Sequence, residues 1–233
     1  MARKSDLRQQ REGTVINHVS KLQEVKLSYV IDLVIGRLSN EFPGIRLQHK
    51  RQWYLKDIVR DLKSAYPDVD FTCYHDTSSM RPDGGIIMLQ RRDEILCPIL
   101  ISEKKNQGTN DLREIEGKPR QAKGNAIERL GKNVIGFRTA LSRESIFPFV
   151  CFGDGCDFAE DSSIIDRVVT IAMFGSLNKT YLHVQGDKFN RGSFYFKVKQ
   201  WTAGEMFPIA YKIAESSVYY YFSKYGRHNF FRE

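Results

Sequence analysis

Apolar residues recur along this chain with two periods, one typical of helices and one typical of buried strands. The helical period extends over residues 19–40, and Pro43-Gly44 marks the end of this predicted helix. Two more helices are predicted at residues 54–65 and 209–224. The first helix is expected to carry an apolar face formed by Leu22, Val25, Tyr29, Leu33 and Val34. The second is expected to turn a stripe toward the core, formed by Leu55, Ile58, Val59 and Leu62.

Short apolar runs predict the strands. Residues 86–89 and 95–101 flank the charged stretch 90–93, which is typical of a β-hairpin. Further strands are predicted at residues 71–74, 147–152, 167–173 and 193–198. Gly153-Asp154-Gly155 then predicts a turn. From Gly124 the period becomes helical again, with an apolar face formed by Ile127, Leu130, Val134, Phe137 and Leu141.

Helices and strands are interspersed along 233 residues, a length sufficient for one sizeable core. We therefore expect an α/β fold with residues 1–233 in a single domain, and a polar surface loop over residues 106–120. The basic residues among residues 1–18 allow two interpretations. They form either a frayed terminus or a mobile basic arm that lies along DNA phosphates.

The predicted hairpin brings two carboxylates together. Its first strand begins beside Asp83 and its second ends at Glu103, so antiparallel pairing places the two acids one strand spacing apart. Glu103 and Lys105 point to the same face of a strand, whereas Lys104 points away. Two acids and an ammonium suit a hard divalent ion held by oxygen ligands. The simpler alternative is a β-turn at residues 82–85 followed by a solvated strand end.

Charge and cysteine content narrow the class of protein. The chain has 36 Lys and Arg against 28 Asp and Glu, a net charge of +8 and a pI near 9.3, which favours a polyanionic partner. Its four cysteines lie in or beside apolar runs without zinc-site spacing, which predicts free thiols in a reducing cytoplasm. The polar N-terminus and the absence of an apolar run of about 18 residues argue against secretion and membrane insertion.

The start of the helix that follows Gly124 carries polar residues with two possible roles. Asn125 and Arg129 are four positions apart and project from one side of the helix, beside Glu128. Asn can pair with adenine and Arg with guanine in the major groove of DNA. Alternatively, Asn125 is an N-cap and Glu128 and Arg129 form an ordinary surface pair.

Three segments of the chain resemble the EcoRI-like type II restriction endonucleases, a branch of the PD-(D/E)xK nucleases. Residues 78–86 are similar to the first catalytic segment, residues 103–108 to the second, and residues 124–129 to the base-reading segment of that family. The resemblance spans about residues 25–155 and implies a restriction-endonuclease-like core, a mixed central sheet flanked by helices.

The resemblance also implies roles for individual residues. Asp83, Glu103 and Lys105 would be catalytic, and Mg²⁺ would be held by Asp83, Glu103 and the backbone carbonyl of Lys104. The residues that contact DNA would be Gln121, Ala122, Lys123, Gly124, Asn125, Ala126, Glu128, Arg129 and Lys179. The substrate would be double-stranded DNA with an AATT-centred palindrome, CAATTG or GAATTC, cut to leave 5′-phosphates and 5′ overhangs.

By the same resemblance the protein would act as a homodimer whose two-fold axis matches the palindrome, alongside a cognate DNA methyltransferase. Two alternatives stay open from the sequence. One is a structure-selective or non-specific repair nuclease on the same core. The other is a non-catalytic DNA-binding protein on that scaffold, against which the complete set of two acids and a lysine argues.

Overall fold

The computed structural model describes residues 15–106, 125–158 and 192–231, together with positions 115, 117 and 119. The helices are α1 (Val15–Glu41), α2 (Leu55–Ala65), α3 (Asn125–Ala140) and α4 (Ala203–Tyr225). The strands are β1 (Arg46–Lys50), β2 (Trp53–Tyr54), β3 (Ser79–Met80), β4 (Gly85–Gln90), β5 (Leu96–Asn106), β6 (Phe149–Asp154) and β7 (Ser193–Lys197). Short 3₁₀ turns occupy Cys156–Phe158 and Arg227–Asn229.

Five strands form one mixed sheet in the order β1-β4-β5-β6-β7, and β2 pairs with β3 separately. The pairs β1/β4 and β4/β5 are antiparallel, whereas β5/β6 and β6/β7 are parallel. The predicted hairpin is confirmed, since Gly85 pairs with Ser102 and Gln90 with Leu96. Its register shifts between Ile87 and Met88, whose partners are Leu100 and Pro98, so Ile99 is the extra residue of a bulge. Pro98, which has no N–H to donate to the ladder, lies beside that bulge.

Helices cover both faces of the sheet, so the α/β prediction is confirmed. Strand residues alternate between the two faces: Ile87 and Leu89 pack against α1 and α4, whereas Ile86 and Met88 pack against α3. Every residue of β4 and β6 is buried, as expected for strands covered on both sides. The predicted apolar face of α3 is confirmed, because Ile127, Leu130, Val134, Phe137 and Leu141 are all buried.

The predicted apolar face of α1 is wrong. Of the five residues of the predicted face, Val34 is buried, and the other four are exposed: Leu22, Val25, Tyr29 and Leu33. The helix instead buries the neighbouring stripe formed by Leu27, Val30, Ile31, Val34 and Leu38. Apolar residues occupy two adjacent stripes of α1, and the wider contact with α4 and the sheet selects the second one.

Several predicted boundaries also change. Residues 71–74 form no strand, and Tyr74 is 86% exposed. The C-terminal helix begins at Ala203 rather than 209, and Pro208 lies inside it. Asp154 is the last residue of β6 and is buried, not part of a turn. The predicted strand at residues 167–173 lies outside the described residues.

The second helix and the cysteines follow the prediction more closely. In α2, Ile58 is buried and the other three residues of its predicted stripe are half-buried.

All four cysteines are free thiols; Cys97 and Cys151 are buried, and Cys73 and Cys156 are half-buried. Within the parts of the chain that the structure describes, no helix is long and apolar enough to cross a membrane.

Candidate active site

The first acid lies on a tight turn that requires glycine. The Gly85 amide donates to the Pro82 carbonyl at 3.0 Å, which closes a β-turn with Asp83 and Gly84 at its centre. Gly85 has a φ of +75°, a conformation that other residues rarely adopt. At Gly84 a Cβ would lie 2.2 Å from the Ser102 Oγ, so this turn also lies too close to β5 to admit a side chain. The turn therefore presents Asp83 directly beside the end of β5.

The other two groups of the site project from that end of β5. Glu103 and Lys105 lie on the face toward α3, two positions apart, as strand alternation predicts. The Lys105 Nζ is 3.2 Å from the Asp83 Oδ2 and donates to the Glu103 Oε1. The Asp83 amide donates to the Glu103 Oε2 at 3.1 Å, and the Lys104 amide donates to the Asp83 Oδ2 at 3.1 Å. The structure thus brings Asp83, Glu103 and Lys105 into mutual contact.

Burial and charge act in opposite directions on these groups. Burial raises the pKa of Glu103, and the Asp83 charge raises it further, while Lys105 lowers it; the net direction is upward. Burial also lowers the pKa of Lys105, but the charges of Glu103 and Asp83 outweigh it, so that pKa is raised and the ammonium is protonated at neutral pH. The Glu103 side chain is 1% exposed, whereas that of Asp83 is 31% exposed. The site therefore opens to solvent on the Asp83 side.

Asn133 of α3 completes the surroundings of Glu103. Its Nδ2 donates to the Glu103 Oε1 at 3.0 Å. Asn133 is not among the site residues predicted from the sequence. A signal was present, however, because Asn133 continues the four-residue spacing of Asn125 and Arg129 along the same helix.

Lys104 points to the opposite face of β5, as predicted. There its Nζ donates to the Asp154 Oδ2, and both side chains are buried. Asp154 also accepts hydrogen bonds from the Gln23 Nε2 at 3.0 Å, the Asn106 Nδ2 at 3.3 Å and the Trp201 amide at 3.1 Å. Burial lowers the pKa of Lys104, and the hydrogen bond and charge of Asp154 oppose that shift only in part. Asp154 is a structural residue that the sequence analysis missed.

The donors at the front of β5 fit a hard divalent cation. Two carboxylates against one ammonium leave a formal charge of −1. Carboxylate and carbonyl oxygens are the ligands that Mg²⁺ prefers. No group of three or more His, Cys, Asp or Glu side chains placed to hold a metal occurs among residues 15–106, 125–158 and 192–231. The protein side chains that can coordinate an ion here are therefore Asp83 and Glu103.

The predicted DNA-contacting residues are described only in part. Helix α3 begins with the backbone of Asn125 and Ala126. Glu128 and Arg129 follow in the first turn, and their side chains are exposed. Gln121, Ala122, Lys123, Gly124 and Lys179 lie outside the described residues. The side chains of Glu128 and Arg129 are thus exposed at the start of the helix that also contacts Glu103.

Comparison with known proteins identifies the family. The family model described as "Restriction endonuclease EcoRI" matches residues 10–164, which is more than half of the chain. The chain belongs to the EcoRI family of restriction endonucleases. The match contains both acid-bearing segments and α3. It also extends on both sides of the resemblance seen in the sequence.

Two curated relatives of this EcoRI-family chain are type II restriction enzymes. RsrI of Cereibacter sphaeroides is 29% identical over 241 residues, covering 88% of this chain and 87% of RsrI. EcoRI of Escherichia coli is 29% identical over 161 residues, covering 66% of this chain and 58% of EcoRI. The protein is therefore a type II restriction endonuclease, a hydrolase that belongs to a restriction-modification system. The family also indicates that its cofactor is a divalent metal ion.

Proposed function

We propose that this endonuclease uses Mg²⁺ and that Asp83, Glu103 and Lys105 carry out hydrolysis of the DNA phosphodiester bond. The observation that supports the proposal is the direct contact of two carboxylates with one ammonium at the open end of the sheet. A surplus negative charge beside a bound phosphate would repel the substrate. A cation held at Asp83 and Glu103 removes that repulsion.

Each residue has a distinct role in the proposed reaction. Asp83, Glu103 and the Lys104 backbone carbonyl would hold the ion. When bound, Mg²⁺ supplies a Lewis acid that polarises the scissile phosphate. Lys105 is placed to act on the attacking water because its Nζ contacts both Asp83 and Glu103. It orients the attacking water and stabilises the charge that develops on the phosphate oxygens. The water oxygen bonds to phosphorus and gives up one proton to the solvent. The bond to the 3′ oxygen breaks and that oxygen takes up a proton, so the products are a 5′-phosphate and a 3′-hydroxyl.

The proposed substrate is a short palindrome in double-stranded DNA with an AATT core. The start of α3 is the proposed reading element, and the exposed side chains of Glu128 and Arg129 there support it. Gln121, Ala122, Lys123, Gly124, Asn125 and Ala126 are proposed to contact the same bases or their phosphates. Lys179 is proposed to contribute to the outer base pair, which would make the site CAATTG or GAATTC, cut to leave 5′ overhangs.

A palindrome requires one active site per strand, so we propose a homodimer whose two-fold axis coincides with that of the DNA. A DNA methyltransferase that modifies the same palindrome is the proposed functional partner. Residues 1–233 are proposed to form one nuclease domain. The proposed basic arm, residues 1–18, overlaps the first turn of α1, which begins at Val15.

Digestion of a sequenced plasmid tests the proposal. The purified protein is incubated with the DNA in Mg²⁺ or in EDTA, and the fragment ends are sequenced. We expect discrete fragments in Mg²⁺ only, with ends that share AATT in a 5′ overhang. Intact DNA in Mg²⁺ at an excess of enzyme would overturn the proposed reaction. Uniform ends without AATT would overturn the proposed reading of the sequence and leave the catalytic assignment standing.

Substitution of Arg129 tests the base-reading role. Arg129→Ala should cost about 1–3 kcal/mol of discrimination between the cut site and a duplex with one base pair changed. The measurement is equilibrium binding of both duplexes in EDTA. Arg60→Ala is the control, since Arg60 is also an exposed helical arginine but lies on α2. If Arg129→Ala discriminated as well as this control, the reader assignment would be wrong.

A further inference from the structure

Helix α3 contacts both of the segments that carry the acids. The Asn133 Nδ2 donates to the Glu103 Oε1 at 3.0 Å. Three residues later on the same side of the helix, Gly136 lies so near Met80 that a Cβ would be 2.4 Å from the Met80 Sδ. Met80 is three residues before Asp83. One helix therefore touches the Glu103 segment by a hydrogen bond and the Asp83 segment by close packing.

The contact with Glu103 comes from outside the two catalytic segments. The carboxylate accepts from the Asp83 amide on Oε2, and from Lys105 and Asn133 on Oε1. Asp83 and Lys105 belong to the site itself, so within the described part of the chain Asn133 is the donor to this carboxylate from outside the site. The donor is the Asn133 Nδ2, because an amide nitrogen donates hydrogen bonds and does not accept them.

The position of Asn133 follows from how α3 is fixed to the sheet. Ile127, Leu130 and Val134 are fully buried in one cluster with Ile86 and Ile101 of the central hairpin. Close packing of this kind makes helix and hairpin shift together rather than independently. Asn125, Arg129 and Asn133 follow at four-residue intervals, so the side of the helix that begins at the proposed reading turn leads to Glu103.

We infer that Asn133 is a positioning residue that holds the Glu103 carboxylate in its reactive orientation. Asn133 also links that orientation to the seating of α3 on DNA, that is, to the correct docking of this helix against the bases. This inference rests on the proposed function, because it assigns α3 to the bases and Glu103 to the reaction. Asn133 acts through Glu103 and need not contact the scissile phosphate. Partners of metal-binding carboxylates commonly affect activity without changing the ligand set.

Four variants at two positions test the inference. Asn133→Ala removes the amide, Asn133→Asp replaces the donor by a second carboxylate, and Asn133→Gln keeps an amide on a longer side chain. The control is Thr139→Ala on the same helix, since Thr139 Oγ1 bonds the backbone of Ile135. Each protein is compared with the wild type in thermal unfolding and in DNA binding in EDTA. Single-turnover cleavage in Mg²⁺ is then measured on the cut duplex and on one with a single base pair changed.

Asn133→Ala should cleave the correct duplex about 10- to 100-fold more slowly than the wild type. Its unfolding temperature and its DNA affinity in EDTA should be unchanged. Asn133→Asp should be slower still because its carboxylate repels Glu103. Asn133→Gln should retain more of the rate than Asn133→Ala, and Thr139→Ala all of it. The loss should be smaller on the altered duplex, where α3 is not fully seated.

Three results would overturn the inference. A wild-type cleavage rate for Asn133→Ala would show that Asn133 does not contribute to the reactive orientation of Glu103. An affinity loss as large as the rate loss would make Asn133 a DNA contact instead. An equal rate loss on both duplexes would remove the link to the seating of α3. The wild-type digestion separates these results from a failure of the proposed function, which would abolish cleavage in the parent protein as well.

Discussion

The end of β5 carries two charged clusters on opposite faces of one strand, and they differ in their charge balance. On the α3 face, Glu103 and Asp83 share the single ammonium of Lys105, and the formal charge is −1. On the other face, Lys104 and Asp154 form a neutral pair whose side chains are 4% and 1% exposed. Three consecutive residues of β5, at positions 103–105, therefore contribute side chains to both clusters.

The two clusters also differ in how fully their acceptors are used. Both Asp154 oxygens accept two hydrogen bonds, from Gln23, Asn106, Lys104 and the Trp201 amide. Such a closed network ties β5 and β6 to α1 and to the start of α4. The front cluster keeps a surplus acid at the solvent-facing Asp83. Both clusters contain buried ionisable groups, so burial does not distinguish them. The front cluster differs by its surplus negative charge, which suits a cationic ligand, whereas the neutral back cluster stabilises the packing of the strand.

The largest expected effect comes from removing the surplus charge at the front. Asp83→Asn or Glu103→Gln should slow single-turnover cleavage at least about a thousandfold, equivalent to about 4 kcal/mol, because the ion loses a charged ligand. DNA affinity in EDTA should be retained or increased, since less negative charge faces the phosphate. Both quantities are measured on the same protein preparations. Cleavage within tenfold of the wild type would mean that the front acids do not hold the ion.

The back cluster should instead affect stability. Asp154→Leu leaves the Lys104 ammonium buried without its acidic partner, so the free energy of unfolding should fall by about 3–5 kcal/mol. Urea unfolding followed by fluorescence measures the change. The double variant Lys104→Met with Asp154→Leu is the control. It removes both charges and should recover part of the loss, because the Gln23, Asn106 and Trp201 donors still lack their acceptor. Equal midpoints for the wild type and the Asp154→Leu variant would contradict a structural role for the pair.

The sequence predicts the front cluster well because its geometry is local. The hairpin follows from two apolar runs around a charged turn, and strand alternation alone assigns Glu103 and Lys105 to one face and Lys104 to the other. The register that brings Asp83 to Glu103 follows from antiparallel pairing. Chemistry concentrated in one supersecondary unit can therefore be predicted without knowledge of the rest of the fold.

The back cluster was not predicted because it depends on long-range packing. Asp154 lies between two glycines, a pattern typical of turns, and only the parallel pairing of β6 with β5 places it near Lys104. A clue existed, since a lysine that points away from the site into a covered face requires an acid. The exposed stripe of α1 has a similar cause: two apolar stripes were available, and the contact with α4 decided between them.

The start of α4 was missed for a local reason. Thr202 and Glu205 form a capping box, in which the Glu205 amide donates to the Thr202 Oγ1 at 3.3 Å and the Thr202 amide donates to the Glu205 Oε2 at 2.8 Å. The Thr-x-x-Glu pattern is visible in the sequence. Proline is typical of the first position of a helix, whereas Pro208 lies six residues into α4.

The smallest expected effect is an opposite pH dependence of the two clusters, measured as unfolding free energy in EDTA. Between the ordinary value of 4.5 and the raised pKa of Glu103, the folded chain binds more protons, so the free energy of unfolding falls as pH rises. Between the lowered pKa of Lys104 and its ordinary value of 10.5, this group binds more protons in the unfolded chain, so the contribution of Lys104 to that free energy rises with pH. Each slope is at most about 1.4 kcal/mol per pH unit. Glu103→Gln should remove the first slope, and Lys104→Met with Asp154→Leu the second. Variant curves parallel to the wild type would show that neither group titrates differently in the folded chain.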